Sequence, residues 1–296
     1  MFDCAPAKKH TEKINFDVPL NACDSHCHVF GPAERFPFDV NRSYTPPDAG
    51  YDDLNAKQAN LGLRRAVLVQ PNCHGYDMAA ITDAIARSQG QYRGVALLPA
   101  HVTRDQLLQL DQAGIRGVRF NFVAHLTGAT IEDVAAMADK IADLGWHICI
   151  HADEISLLRL LPDLKKLPVP FVIDHMGRID TNNGLHGEAF EALLQLRHCQ
   201  QAWIKVSGVD RLAGGVAPYT AGHAFMRAII DAMPERTLWG SDWPHPNVAG
   251  DVPDDGLLLN IFGAVCEDPA LRNKILVDNP QLLYRFEDSQ PTGAAK

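Results

Sequence analysis

His26 and His28 stand one residue apart in Cys23-Asp24-Ser25-His26-Cys27-His28-Val29-Phe30, just after Val18-Pro19-Leu20-Asn21-Ala22. On a strand, residues i and i+2 point to the same side, so the two imidazoles converge on one point. Imidazoles paired at a strand end bind a metal or polarise a carbonyl. Near the other end, Trp239-Gly240-Ser241-Asp242-Trp243-Pro244-His245-Pro246 reads as a last strand ending in a carboxylate. An early His-x-His and a late Asp predict a closed barrel that brings both chain ends to one mouth.

The elements that would position these groups follow from the alternation along the chain. Short β-rich runs at 66–70, 94–99, 117–122, 147–152, 171–176, 202–208 and 237–243 join the segment ending at His28, making eight strands. Their near-continuous apolar character is that of strands covered on both faces, as in a parallel sheet. Helical patterns lie between them. Thr103 with Gln106, and Thr130 with Asp133, read as capping boxes, and Asp268-Pro269 as an N-cap followed by proline at the first helical position. Gly114 and Gly145 close helical patterns just before strands. Eight strand–helix alternations predict an α/β fold, a (β/α)8 TIM barrel, with an open doubly wound sheet as the rival. No G-x-G-x-x-G follows a strand, which weakens a dinucleotide-binding version of that rival. Residues 1–18 read as an N-terminal extension, 19–286 as one barrel domain and 287–296 as a flexible tail. The long connections 31–60 and 209–222 are candidates for a substrate lid.

Size and charge narrow the function. The 296 residues are 46% hydrophobic, and α/β barrels commonly run about 250 residues as one domain. A net charge of −9 and a pI near 5.8 argue against a nucleic-acid binder, which normally shows a pI above about 9. Seven scattered cysteines without a C-x-x-C motif read as reduced thiols. The first 17 residues lack the apolar core of a signal peptide, and no apolar run approaches the ~20 residues of a membrane span. The expectation is a cytoplasmic monomer or small homo-oligomer with no membrane or nucleic-acid partner.

In such a barrel the C-terminal strand ends share one face. That face would carry His26 and His28; Gln70, Asn72 and His74; Arg119 and Asn121; His151, Asp153 and Glu154; Asp174, His175 and Arg178; Lys205, Ser207 and Arg211; and Asp242 with His245. A lone His74 or His125 is more often a hydrogen-bonded structural residue than a ligand. Lys205 has a bland reading as a snorkelling side chain on a strand edge, and Asp174 as a group facing away from the mouth that orients a neighbour. The conjunction of His and Asp sets at the ends of strands one, five, six and eight points to a functional site. Arg119, Arg178 and Arg211, from separate strands, point to an anionic substrate, since guanidinium is suited to bidentate carboxylate recognition. The alternative is pairing with Asp153, Glu154 or Asp180.

The stretches DSHCHVFGP, RSYTP, GVRFNF, LGWHICI, VIDHMGR, LWGSDWPHPN, PDDGLL and LVDNPQLLY carry a resemblance. From about residue 20 to about residue 285 the sequence resembles the amidohydrolase superfamily and, within it, the 2-pyrone-4,6-dicarboxylate hydrolase (lactonase) group. The resemblance implies hydrolysis of a cyclic ester from aromatic-ring breakdown. It implies that Asp242 is the general base that activates water, that His26, His28 and His175 polarise the ring carbonyl, and that Tyr44, Arg119, Arg178 and Arg211 hold the substrate carboxylates. The sequence departs from the group at three positions. His125 stands where a second arginine is expected, Asn72 where a smaller hydroxyl residue is expected, and His151 on a fifth strand that lacks a histidine in the group. These three count as substrate-binding candidates, and a different carboxylated lactone is open as the substrate. The group works without a metal, whereas His26, His28, His151 and Asp242 together would supply the four ligands common for zinc. The cofactor expectation is therefore none, or one divalent ion. Competing readings are a metal-dependent decarboxylase or other hydrolase of the same superfamily, and a non-catalytic binder of small acids.

Overall fold

In the computed structural model, residues 2–123, 128–248 and 250–287 are described. Eight parallel strands form one sheet in chain order: β1 (Cys23–Cys27), β2 (Arg65–Val69), β3 (Tyr92–Ala96), β4 (Ile115–Phe122), β5 (His147–Ala152), β6 (Phe171–Ile173), β7 (Ala202–Lys205) and β8 (Thr237–Leu238). Three backbone hydrogen bonds join the last strand segment to the first: Ser25 N–H to the Trp239 carbonyl, Asp242 N–H to that of His26, and His28 N–H to that of Trp243. The sheet is thereby a (β/α)8 barrel. Gly240 lies on this seam, and a Cβ there would come within 2.6 Å of the His26 backbone, so only glycine lets the two segments approach.

The helices are α1 (Tyr51–Leu61), α2 (Ala79–Arg87), α3 (Arg104–Gln112), α4 (Ile131–Ile141), α5 (Glu154–Leu164), α6 (Glu188–Leu194), α7 (Val209–Leu212), α8 (His223–Ala232), α9 (Asp255–Val265), α10 (Pro269–Asn273) and α11 (Asn279–Tyr284). The expected start signals operate. Thr103 and Gln106 cap α3 reciprocally, Thr130 and Asp133 cap α4, and the Asp268 side chain accepts from Ala270 N–H ahead of Pro269 in α10. Helix α4 buries Val134, Met137, Ala138 and Ile141, the i, i+3, i+4, i+7 stripe that seats a helix on a sheet.

The barrel's interior is packed by Val67, Val69, Val95, Cys149, Val172 and Leu238, with Leu283, Tyr284 and Phe286 in the same cluster. The polar groups are gathered at the opposite, C-terminal end of the strands. In-register pairing of β4 with β5 sets Arg119 beside Cys149 and Asn121 beside His151. Alternate residues of a strand share a face, so Arg119 and Asn121 both point into the barrel.

Strands six to eight are shorter than the sequence pattern predicts. After Ile173 the chain enters a left-handed turn, with φ of 51°, 53°, 67° and 46° at His175, Met176, Gly177 and Arg178. Asp174–Arg178 is a helical turn rather than strand. Asp174, His175, Met176 and Gly177 are buried like the strand before them, and a short buried run does not by itself separate strand from turn. The connection 31–60 is also not all loop, since α1 occupies its last part, and α7 opens the connection 209–222. Ahead of the barrel, Phe2–Asp3 pairs with Tyr44–Thr45, and Glu12 and Asn15 are hydrogen-bonded to Asp254 and Asn260 of the α9 region. Of the expected tail, residues 288–296 lie outside those described. No helix among the described residues is long and apolar enough to cross a membrane.

Candidate active site

A cavity of about 220 Å³ opens at the C-terminal end of the strands. It is lined by His28, Tyr44, Asn72, Arg119, His151, His175, Arg178, Arg211 and Asp242. A larger recess of about 460 Å³ adjoins it and shares Asn72 and Arg119. Asn121 Nδ2 donates to Asn72 Oδ1 at 3.2 Å across the boundary, and His151 Nδ1 meets the Asn121 side-chain Oδ1 at 3.1 Å.

Asp242 is the centre of the arrangement. It sits just past β8 at a φ of 66°, a left-handed conformation that costs a non-glycine residue energy and clusters at functional sites. Its Oδ2 accepts from Arg211 Nε at 2.8 Å and also from Arg211 Nη2. Its Oδ1 faces three imidazoles, with His28 Nε2 at 3.2 Å, His26 Nε2 at 3.6 Å and His175 Nε2 at 3.8 Å. Burial alone would raise this carboxyl's pKa, but Arg211 and the surrounding imidazoles hold it well below the carboxylate range. Asp242 is therefore ionised, oriented, and has one oxygen left for chemistry.

The histidines are held from behind. His28 Nδ1 lies 2.7 Å from the Val69 carbonyl; a carbonyl only accepts, so Nδ1 carries a proton and Nε2 turns to Asp242. That second contact is a hydrogen bond only with a proton between the two acceptors. His175 Nδ1 meets Ser207 Oγ at 2.9 Å. Gly208 (φ 73°) runs under the His175 ring, where a Cβ would come within 2.9 Å. Burial depresses the pKa of His175 and His151 well below the usual imidazole value and that of His26 to about 4, so these rings are neutral.

Beneath them lies a buried polar layer. Asp174 Oδ1 meets Lys205 Nζ at 3.0 Å, His26 Nδ1 at 3.2 Å and Cys149 Sγ at 3.2 Å, and Oδ2 accepts from Arg119 Nε at 3.1 Å. Two expectations are corrected here. Asp174 points into the barrel, not away from the mouth, because the chain leaves the strand ladder at this residue. Lys205 does not snorkel; it is wholly buried and spends its charge on Asp174.

Among the arginines, Arg119 is bound to Asp174 and Arg211 to Asp242, whereas half-buried Arg178 has no ion pair among the described residues. The sequence-local acids do not supply one. Asp153 caps α5, and Glu154 accepts from Asp180 N–H and Asn183. His74 is structural as its bland reading holds, with Nδ1 on the Pro37 carbonyl at 3.1 Å. His125 lies outside the described residues. His245 is buried behind the site, 3.2 Å from Asp255, outside the cavity lining. Sequence reasoning missed its surroundings: Lys57 of α1 bonds Asp24 at 2.8 Å and Ser241 Oγ at 2.9 Å, and stands 3.8 Å from Asp255. This network ties α1 and α9 to both ends of the seam. No spacing rule joins Lys57 to Asp24, so no sequence signal marks it.

As to a metal, His26, His28 and Asp242 place three ligand atoms within 4.8 Å of one another, as do His26, Asp174 and His175. His151 belongs to neither group, so the expected fourth ligand is not brought in. Behind His26, Nδ1 lies 3.2 Å from both the Asp174 carboxylate and the Lys205 ammonium. A metal-bound imidazole donates its other N–H to an acceptor; Asp174 is in place for that, and the ammonium competes with the N–H for it.

This fold and site define a class, and comparison with known proteins agrees: the Amidohydrolase family model matches residues 23–286, and the chain belongs to that family. The chain is 42% identical to a 2-pyrone-4,6-dicarboxylate hydrolase of Comamonas testosteroni, covering 93% of this chain and 94% of that one. It is 38% identical to a 4-sulfomuconolactone hydrolase of Rhizobium radiobacter, covering 95% of each. A solved structure from Acinetobacter baumannii, described as a probable 2-pyrone-4,6-dicarboxylic acid hydrolase with citric acid bound, is similar at 28% identity and a TM-score of 0.79, covering 90% of this chain and 100% of that one.

Proposed function

We propose that this protein is a lactone hydrolase that opens the ring ester of a dianionic carboxylated lactone, with 2-pyrone-4,6-dicarboxylate as the substrate. The charge of the cavity carries the reading. Three arginines and one carboxylate line it, while Lys205 and Asp174 beneath offset one another. An excess of two positive charges, including a guanidinium without a partner among the described residues, is matched by a substrate of charge −2. The similarity to the Comamonas and Rhizobium hydrolases supports the same class.

In this reading Arg178 and the Nη edge of Arg119 hold the carboxylates, with Tyr44, Asn72 and His151 shaping the wall. Asp242 Oδ1 takes a proton from water as the water oxygen attacks the ring carbonyl. His26 and His175 face the oxyanion, a type of contact whose loss typically costs about 3–4 kcal/mol of barrier. The tetrahedral intermediate collapses with cleavage of the ring C–O bond, and Asp242 returns its proton to the leaving oxygen. Arg211 serves this sequence by keeping the base ionised and aimed. No step is routed through a metal. The seven free cysteines support a reducing, cytoplasmic setting.

The test is the loss of pyrone ultraviolet absorbance on mixing purified enzyme with 2-pyrone-4,6-dicarboxylate, beside 4-sulfomuconolactone and a monocarboxylated pyrone. Turnover of a dianionic lactone well above the monoanion is expected. Turnover of none of the three by folded protein would overturn the reading.

A further inference from the structure

The Lys205 ammonium has no part in the mechanism above, yet it is fully buried at the base of the site. His26 Nδ1, Lys205 Nζ and Asp174 Oδ1 form a triangle with sides of 3.2, 3.2 and 3.0 Å. Hydrogen bonds around this triangle close in only one way. The ammonium has three hydrogens and three acceptors in reach: Asp174 Oδ1, His26 Nδ1 and, at 3.8 Å, Cys149 Sγ. The lone pairs of Asp174 Oδ1 are used by Lys205 and the Cys149 thiol, and Oδ2 takes Arg119 Nε. The Cys149 thiol donates its hydrogen to Asp174 Oδ1 at 3.2 Å. If His26 Nδ1 carried the ring proton instead, that N–H would compete with Lys205 and Cys149 for Asp174 Oδ1 and would face the ammonium at the same 3.2 Å. One hydrogen of the fully buried ammonium would then lose its nitrogen acceptor, an expensive defect.

We propose that Lys205 is a positioning residue that fixes His26 as the Nε2–H tautomer, which makes it a hydrogen-bond donor toward the lactone carbonyl and closes it to metal ligation. The orphaned atom of the site agrees. His26 Nε2 is buried without a hydrogen-bond partner, 3.6 Å from Asp242 Oδ1. As N–H it awaits an acceptor, and a carbonyl oxygen becoming an oxyanion is one. His28 is set the opposite way by the Val69 carbonyl, which requires a proton on Nδ1. The two histidines of one His-x-His thus divide the work: His28 contacts the base, and His26 donates to the substrate. In the metal-binding alternative His26 would give its Nδ1 proton to Asp174 and use the Nε2 lone pair; the ammonium stands against that state. The donor role rests on the proposed lactone hydrolysis, whereas the tautomer does not.

The test starts with the parent enzyme and no substrate. Two-bond ¹H–¹⁵N correlation spectra of ¹⁵N-histidine-labelled protein, with His26 assigned by His26→Gln, are expected to show protonated Nε2 and bare Nδ1. A proton on Nδ1 would overturn the proposal without touching the lactonase reading. In Lys205→Met the ring is expected to flip, with Nε2 bare. That variant is then expected to take up one zinc per chain on dialysis against zinc while the parent takes up none. Its kcat should fall about 100-fold with KM within about threefold. A folded Lys205→Met that keeps the Nε2 proton would overturn the proposal, and the parent spectrum decides if the variant does not fold.

Discussion

Replacing Asp242 with asparagine separates the base from the scaffold that holds it. The amide oxygen can still accept from Arg211, which now reaches Oδ2 through both Nε and Nη2. The amide nitrogen would sit where Oδ1 does, 3.2 Å from His28 Nε2, and can donate to it. The cavity therefore keeps its shape and loses the proton acceptor together with its charge. Positioned general bases contribute about 10²–10⁴ in rate, or about 3–5 kcal/mol of barrier. The expected result is a kcat lowered by about 10²–10⁴, with KM within about threefold because Arg119 and Arg178 are untouched. Arg211 loses its counter-charge in a largely buried setting, so about 2–3 kcal/mol of stability should go with it, roughly 5 °C in Tm for a chain of this size. Pyrone absorbance gives the rates, and circular dichroism on heating gives the Tm. A folded Asp242→Asn enzyme retaining more than about a tenth of parental kcat would refute the assignment of the base.

Arg178→Met should raise KM for the dianionic lactone by about 10–100-fold with kcat little changed, and affect a monocarboxylated analogue less; equal effects on both would remove Arg178 from the carboxylate site. Burial holds His26 at a pKa of about 4 and His147 at about 3, below the ~6.5 of an unfolded chain. The unfolded state then binds more protons between those values, so stability is full above about pH 6.5 and falls as the pH drops through that window. The His147 ring nitrogens have no hydrogen-bond partner, so His147→Phe should flatten the acid slope of the urea midpoint by about one proton; an unaltered slope would show that His147 is not held neutral.

The parts of the molecule that obey local rules were legible from the sequence. Thr103 and Thr130 start helices because their capping geometry is set within four residues. His147–Ala152 is a strand as predicted because its burial on both faces shows in the apolar run Ile148-Cys149-Ile150. The convergence of His26, His28, His175 and Asp242 follows from the rule that barrel strand ends share a face. What was not legible depends on direction and on long-range pairing. The expected strand 171–176 stops at Ile173, because a short buried stretch does not show in the sequence where the chain turns. Lys205 on a strand gives no hint of its partner, since Asp174 becomes inward-facing only when the chain leaves the ladder. Arg211 was expected on the substrate and is spent largely on Asp242, a contact 31 residues away in sequence.

The hydrogen bonds that close the barrel also have a bearing on folding. They run between residues about 214 positions apart, so closing this joint carries a large loop entropy and depends on the strands between being in place. The base and the first two imidazoles sit on the joint itself: the Asp242 amide is bonded to the His26 carbonyl. A chain with seven strands assembled and the eighth detached would be compact and nearly native, yet it would have no site. Competence thus arrives with the final stitch and is the first property lost when the barrel breathes open at β8, which makes turnover a more sensitive reporter of ring closure than any bulk measure of secondary structure.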